Sequence, residues 1–237
     1  MERFWEVDAS RGLAVIMMLV SNFITDLQFF ANYAKYEMFW QLFAIITAAI
    51  FVFLVGLSLN ISHSRAKKEG KLRFSKFLSR GTFIFALGAV ITVVTYFFLG
   101  TDYVRFGVLH LIGLSIILAY PFLNLRKGVS LVSGIAIVSA GLLLSTHTFN
   151  TSIYFLGMTS ADFSSVDYFP IFPWFGVVLF GLYFGKRLYK GGERNFALKQ
   201  GKGFPALQLL GRNSLLVYFI HQPIFIGILY LLGFVHL

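Results

Sequence analysis

The 237-residue chain contains no cysteine. Thiol catalysis, disulfides and Cys-ligated metal are therefore excluded. Charge is scarce: Asp, Glu, Lys and Arg make up 13% of residues, against roughly a quarter in a soluble domain. Acids are scarcer still, 10 against 20 Lys and Arg. No G-x-G-x-x-G, G-x-x-x-x-G-K-(S/T) or H-E-x-x-H pattern occurs, so the usual phosphate-cradling loops and the zinc-protease helix are missing. No internal repeat is visible, and no loop is long enough to hold a soluble domain.

Apolar residues, in contrast, account for 57% of the chain. They gather in seven runs, near 13–33, 39–61, 77–99, 106–123, 129–146, 169–188 and 207–234. A helix needs roughly 20 such residues to cross a hydrocarbon core. The sequence predicts an all-α polytopic membrane helix bundle of about seven transmembrane helices, one transmembrane domain over 1–237. The first run is too long, and too polar at its start, for a cleaved signal peptide, and no small-residue cleavage site follows a short core. It reads as a permanent helix.

The net charge of +10 does not point to nucleic acid, because the basic residues cluster between the runs. Arg65, Lys67, Lys68, Lys71, Arg73, Lys76 and Arg80 follow the second run, Arg126 and Lys127 the fourth, and Lys186, Arg187, Lys190, Arg194, Lys199 and Lys202 the sixth. With Arg3, Arg11 and Arg212, these fall on one face. Only Lys35 and Arg105 fall on the other, where the loop 147–169 carries Asp162 and Asp167 but no Lys or Arg. Positive residues stay inside, so the N-terminus is expected in the cytoplasm, the C-terminus outside, and the protein in the cell membrane. The segment 186–204, rich in Gly, Lys and Arg, suits anionic lipid headgroups or a polyanionic cytosolic donor such as a nucleotide.

Ionisable groups at membrane depth cost on the order of 2.5–3.5 kcal/mol each and need a partner or a task. At 100° per residue, Asp8, Arg11, Asn22 and Asp26 share a stripe about 60° wide on the first helix. Asp8 and Arg11 suit an i,i+3 ion pair. Asn22 and Asp26 lie about 16–21 Å further on and point to function. His110 falls roughly 7–8 Å below Arg105, at the depth of Asp26, and a carboxylate beside an imidazole is a common way to build a base. Asp167 is poised to pair with Arg105. Arg212 and Asn213 open the last helix. His221 and Gln222 precede Pro223, where they either satisfy the carbonyl freed at Phe219 or line a channel. Tyr168 and Trp174, beside Pro170 and Pro173, belong to the aromatic belt. His63, His147 and His236 fall in loops or at the terminus and receive no role.

These residues form three tiers: Asp8, Arg11, Arg212 and Asn213 at the inner face, Asn22, His221 and Gln222 in the centre, Asp26, Arg105, His110 and Asp167 toward the outside. Such a path suits movement of an ion, movement of a solute, or transfer of a group from a cytosolic donor to an external acceptor. Nothing in the pattern supplies metal ligands. A homodimer is compatible with the sequence but not required by it.

Four stretches resemble the membrane acyltransferase family of lysosomal heparan-alpha-glucosaminide N-acetyltransferase and its prokaryotic relatives. They are Asp8-x-x-Arg11-Gly12 within 6–15, Gly107-Val108-Leu109-His110-x-x-Gly113, Phe169-Pro170-x-x-Pro173-Trp174-Phe175-Gly176, and Leu210-Gly211-Arg212-Asn213-Ser214 running into His221-Gln222-Pro223. The resemblance implies acetyl transfer from acetyl-CoA across the membrane to an acceptor, a sugar or glycan, on the far side. Asn22 is similar in position to an active-site asparagine of that family. The stretch 29–38, where the lysosomal enzyme has its histidine, has none here. The expected roles are His110, supported by Asp26, as base, Asn22 as oxyanion donor, Arg105, Asp167, His221 and Gln222 as substrate contacts, and Asp8, Arg11, Arg212 and Asn213 as the CoA site. The rival reading is a small-solute or proton transporter without chemistry.

Overall fold

A computed structural model of the chain describes residues 3–149, 153–198 and 205–234. Lys199, Lys202 and His236 lie outside the described residues. Nine α-helices follow one another among those described: α1 Trp5–Phe30, α2 Glu37–Lys68, α3 Phe74–Leu99, α4 Val108–Leu118, α5 Tyr120–Asn124, α6 Lys127–Leu144, α7 Ile171–Leu188, α8 Pro205–Arg212 and α9 Ser214–Leu231. Six helical segments, built on α1, α2, α3, α6, α7 and α9, are long and apolar enough to cross a membrane. The run 106–123 gives α4 and α5, with Pro121 at the first turn of α5. Ala119 between them keeps helical backbone angles, its N–H donates to the Ser115 carbonyl and its carbonyl accepts the Leu123 N–H, so 108–124 is a nearly continuous helix of about 25 Å, a little short of a roughly 30 Å hydrocarbon core. Large apolar side chains face outward throughout, among them Met38, Phe97 and Phe98, each at least 75% exposed. Apolar exposure on this scale suits lipid rather than water.

The chain packs as two compact units. One comprises Met1–Phe51 and Leu198–Leu237, the other Val52–Ala197. In the first, α1 lies along α8 and α9. The break at Asn213 is slight: Asn213 N–H still donates to the Leu209 carbonyl, and Val217 N–H to that of Asn213. The last apolar run is thus one helix with a kink. A Cβ on Gly12 would overlap the Leu207 carbonyl, and one on Gly211 would overlap that of Asp8. Two glycines therefore let the backbones touch, as small residues do in membrane helix pairs.

The second unit repeats this device. Gly56 faces the Val178 carbonyl and Gly181 that of Phe53, which joins α2 to α7. Gly81 and Gly113 face each other's carbonyls between α3 and α4, and Gly134 and Gly176 do so between α6 and α7. His63, assigned to a loop from sequence, is instead the buried twenty-seventh residue of α2, because that helix continues beyond its apolar run to Lys68. It packs against Phe77 and Tyr120.

Candidate functional site: a polar seam between α1 and the C-terminal helix

The seam in the first unit is set by helix register. Pairs across it differ by nearly constant sequence separation, 200 for Arg11 with Gly211, 199 for Asn22 with His221, and 196 for Asp26 with Gln222. A constant offset means that the two helices run parallel. The glycine contact at Gly12 and Gly211 fixes that offset, and every polar residue beyond it is placed accordingly.

At the Asp8 end, the carboxylate is buried and serves two guanidiniums. Arg11 Nη1 donates to Oδ1 at 3.2 Å, and Arg212 Nε to Oδ2 at 3.2 Å. Arg11 also reaches the Gly211 carbonyl at 3.4 Å, and Arg212 reaches Gln208 at 3.3 Å. One carboxylate thus serves two guanidiniums, one from each helix. Asn213 turns its amide back onto the Leu209 carbonyl at 2.9 Å and braces the kink. The i,i+3 pair expected from sequence is present, with a second arginine added by the register.

Deeper along the seam, the His221 ring contacts a backbone carbonyl on one side and an amide on the other. Its Nδ1 lies 2.6 Å from the Tyr218 carbonyl, which can only accept, so Nδ1 carries the hydrogen. In the neutral ring, Nε2 then keeps its lone pair and accepts Asn22 Nδ2–H at 2.8 Å. Phe225 and Tyr218 pack against the imidazole. One turn further along α1, Gln222 Nε2 donates to Asp26 Oδ1 at 2.7 Å, while the buried Asp26 Oδ2 has no hydrogen-bond partner among the described residues. A basic nitrogen, an amide donor and a carboxylate oxygen are thus aligned within about 6 Å of helix rise.

The second unit holds the other sequence-predicted residues. His110 is buried at the third position of α4 and accepts the Gly107 N–H on Nδ1 at 3.2 Å. Its Nε2–H faces Thr92 Oγ1 at 3.5 Å, and Thr92 donates onward to the Val104 carbonyl. The ring stacks on Phe106 and meets Phe85 edge-on. Gly88 gives it room, since a Cβ there would stand 2.9 Å from Nδ1. Asp167 Oδ2 accepts the Val108 N–H at 3.2 Å. Arg105 donates to the Ser164 and Thr101 carbonyls and lies over the Tyr103 and Phe163 rings. This corner closes the start of α4. Burial pushes the neighbouring Tyr168 phenol up to about 12, so it stays a neutral donor to the Tyr154 carbonyl.

The sequence reading placed the Asp26 carboxylate beside His110. Their hydrogen bonds go elsewhere: Asp26 is held by Gln222 and His110 by Gly107. The partners that sequence reasoning missed are the Tyr218 carbonyl and Thr92. The Asn22–His221 pair did leave a signal, because Asn22 lies ten residues beyond Gly12 and His221 ten beyond Gly211.

Apolar helices that leave lipid-facing surface exposed, and that hold between them a seam of hydrogen-bonded Asp, Asn, His, Gln and Arg, define an integral membrane protein with a partly buried polar site. Residues 3–223 match the family described as heparan-alpha-glucosaminide N-acetyltransferase, catalytic, and the chain belongs to that family of membrane acetyltransferases. No curated protein and no solved structure matches it.

Proposed function

We propose that the protein transfers an acetyl group from cytosolic acetyl-CoA to an acceptor, a sugar or glycan, at the outer face, with the chemistry at Asn22 and His221. The observation that carries this reading is the His221 ring, held in one tautomer by the Tyr218 carbonyl with its basic Nε2 turned to Asn22. A backbone carbonyl here does the orienting that a carboxylate does in a hydrolase triad. The acceptor displaces the Asn22 amide from Nε2, whose lone pair then takes the proton from the acceptor hydroxyl or amine as that group attacks the thioester carbonyl. Asn22, which has a second N–H, stabilises the developing oxyanion. The tetrahedral intermediate collapses, the C–S bond breaks, and the imidazolium returns its proton to the CoA thiolate. Asp26 Oδ2 accepts a hydrogen bond from the acceptor and Gln222 holds the carboxylate in place.

Arg11 and Arg212, gathered by Asp8, suit the CoA phosphates through charge-assisted hydrogen bonds, and the positive-inside distribution supports a cytoplasmic position for them. His110 and Asp167 support α4 in this reading, a change of role from base and substrate contact, because the lone pair of His110 is held by a backbone N–H fixed at the start of α4, whereas that of His221 meets a side-chain amide that a substrate can displace.

The test begins with thermal stability of purified protein titrated with acetyl-CoA. Ligand at 100 times its dissociation constant adds about 2.7 kcal/mol. No shift at millimolar acetyl-CoA rejects the donor. Proton or solute flux into liposomes that depends on His221, with no acetyl-CoA consumed, selects the transporter instead.

A further inference from the structure

We infer that α3 carries a binding site for an anionic phospholipid. An open groove of about 630 Å³ is lined by Ser75, Lys76, Ser79, Arg80 and Phe83. All five side chains are exposed. The opposite face of α3, with Phe77, Gly81, Ile84 and Gly88, is the buried one, and its glycines pack on Gly113, Ile117 and His110. The groove therefore opens away from the interior of its unit.

Its chemistry matches an amphiphile. Ser75 and Ser79, and Lys76 and Arg80, are i,i+4 pairs whose side chains stand side by side. Together they offer two cations and two hydroxyls to one phosphate, with the Arg80 guanidinium able to bind two oxygens at once. No acid lines the groove, and neither Lys76 nor Arg80 has an ion-pair partner among the described residues. Beneath this polar mouth the same helical face continues through Phe83, Val90, Val94 and Phe97, each 49–79% exposed. That track extends about 21 Å along the axis, enough to flank an acyl chain through one leaflet, about half of a 30 Å core. A free nucleotide or inorganic phosphate would use the cations but gain nothing from the track. The two together select a lipid.

The experiment measures retention of phosphatidylglycerol on full-length protein by native mass spectrometry, from phosphatidylcholine nanodiscs with and without phosphatidylglycerol. Phosphatidylglycerol is expected to bind selectively, and Lys76→Gln with Arg80→Gln to weaken it roughly 30-fold, from about 1 kcal/mol per basic residue near the surface. Lys76→Gln alone should give roughly 5-fold and covers the case in which the double variant is unstable. Phe83→Ala should weaken the lipid but leave inorganic tripolyphosphate binding unchanged. Lys67→Gln with Lys190→Gln, basic residues elsewhere in the unit, should change nothing. Equal retention of both lipids overturns the site. So does an equal loss in the Lys67/Lys190 variant, which would mean diffuse charge, or tripolyphosphate binding as tightly as the lipid.

Discussion

Two of the buried histidines in this protein, His221 and His110, share a residue type and a setting but differ in what their basic nitrogen meets. In His221 the hydrogen-bearing Nδ1 is anchored on the Tyr218 carbonyl and the lone pair of Nε2 faces the Asn22 side chain. In His110 the order is reversed: the lone pair of Nδ1 takes the Gly107 backbone N–H, and Nε2 carries the hydrogen toward Thr92. A lone pair that satisfies the first turn of a helix has a structural task, since that N–H has no partner within the helix. A lone pair aimed at a side-chain amide can exchange that partner for a substrate at the cost of one side-chain hydrogen bond. The partner of the lone pair, more than depth in the membrane, is the ground for proposing His221 rather than His110 as the base.

The sharpest way to break this contrast is to remove each imidazole and compare transfer rate with acetyl-CoA affinity. His221→Ala should lower transfer by roughly 100- to 10,000-fold, the range for a positioned base, with acetyl-CoA affinity little changed. Asn22→Ala should follow with roughly 100- to 1,000-fold, as for one oxyanion donor. Single-turnover rates with detergent-purified protein, beside isothermal titration with acetyl-CoA, measure both. A His110→Ala protein that folds but is inert, while His221→Ala still transfers, would reverse the assignment.

The register behind His221 can be broken separately. Gly12→Val puts a branched side chain where even a Cβ overlaps the Leu207 carbonyl. Overpacking costs typically about 1–3 kcal/mol, and here the obstacle is backbone rather than a yielding side chain. The expected result is a loss near the upper end of that range in thermal unfolding, with transfer lost as well because Asn22 and His221 no longer meet. Gly227, where an added Cβ meets nothing, is the control: Gly227→Ala should retain stability and activity.

Removing the cap should cost less. His110→Ala leaves the Gly107 N–H without its acceptor, and loss of a helix cap costs about 1 kcal/mol, with a range of about 0.5–2. His110→Asn keeps an acceptor near the Nδ1 position and should recover part of that stability. Transfer per folded molecule should stay near that of the wild type in both. Unfolding midpoints paired with rates normalised to folded protein separate the two effects.

These expectations also mark what the sequence made legible. Helical periodicity alone aligned Asp8, Arg11, Asn22 and Asp26, because a stripe on one helix depends only on spacing. The partner of each residue depends on the register between helices nearly 200 positions apart, which periodicity does not encode. Hence Asp26 was matched by depth to His110 rather than to Gln222. The matching intervals Gly12 to Asn22 and Gly211 to His221 encode that register, provided both glycines are contact points. His63 was missed for another reason: the apolar run stops near 61 while backbone hydrogen bonds carry α2 on to Lys68. Composition marks where lipid ends, not where a helix does.

The smallest expected effect gives the finest test. Asp167 Oδ2 accepts the Val108 N–H at the start of α4, next to the residue that His110 caps. If this carboxylate serves the backbone, its charge matters little and its oxygen matters more. Asp167→Asn keeps an oxygen acceptor, and Asn and Asp are nearly equivalent at helix starts, so stability should fall by less than about 0.5 kcal/mol and transfer should be unaffected. Asp167→Ala removes the acceptor and should cost about 1 kcal/mol, again with transfer per folded molecule intact. A substrate contact would respond in the opposite order. A carboxylate that holds an acceptor sugar or amine through its charge would lose affinity in the Asn variant without losing stability, and the acceptor KM would rise while the unfolding midpoint stayed fixed. That outcome would return Asp167 to the reaction and dissolve the proposed division between a reaction seam in one unit and a structural corner in the other.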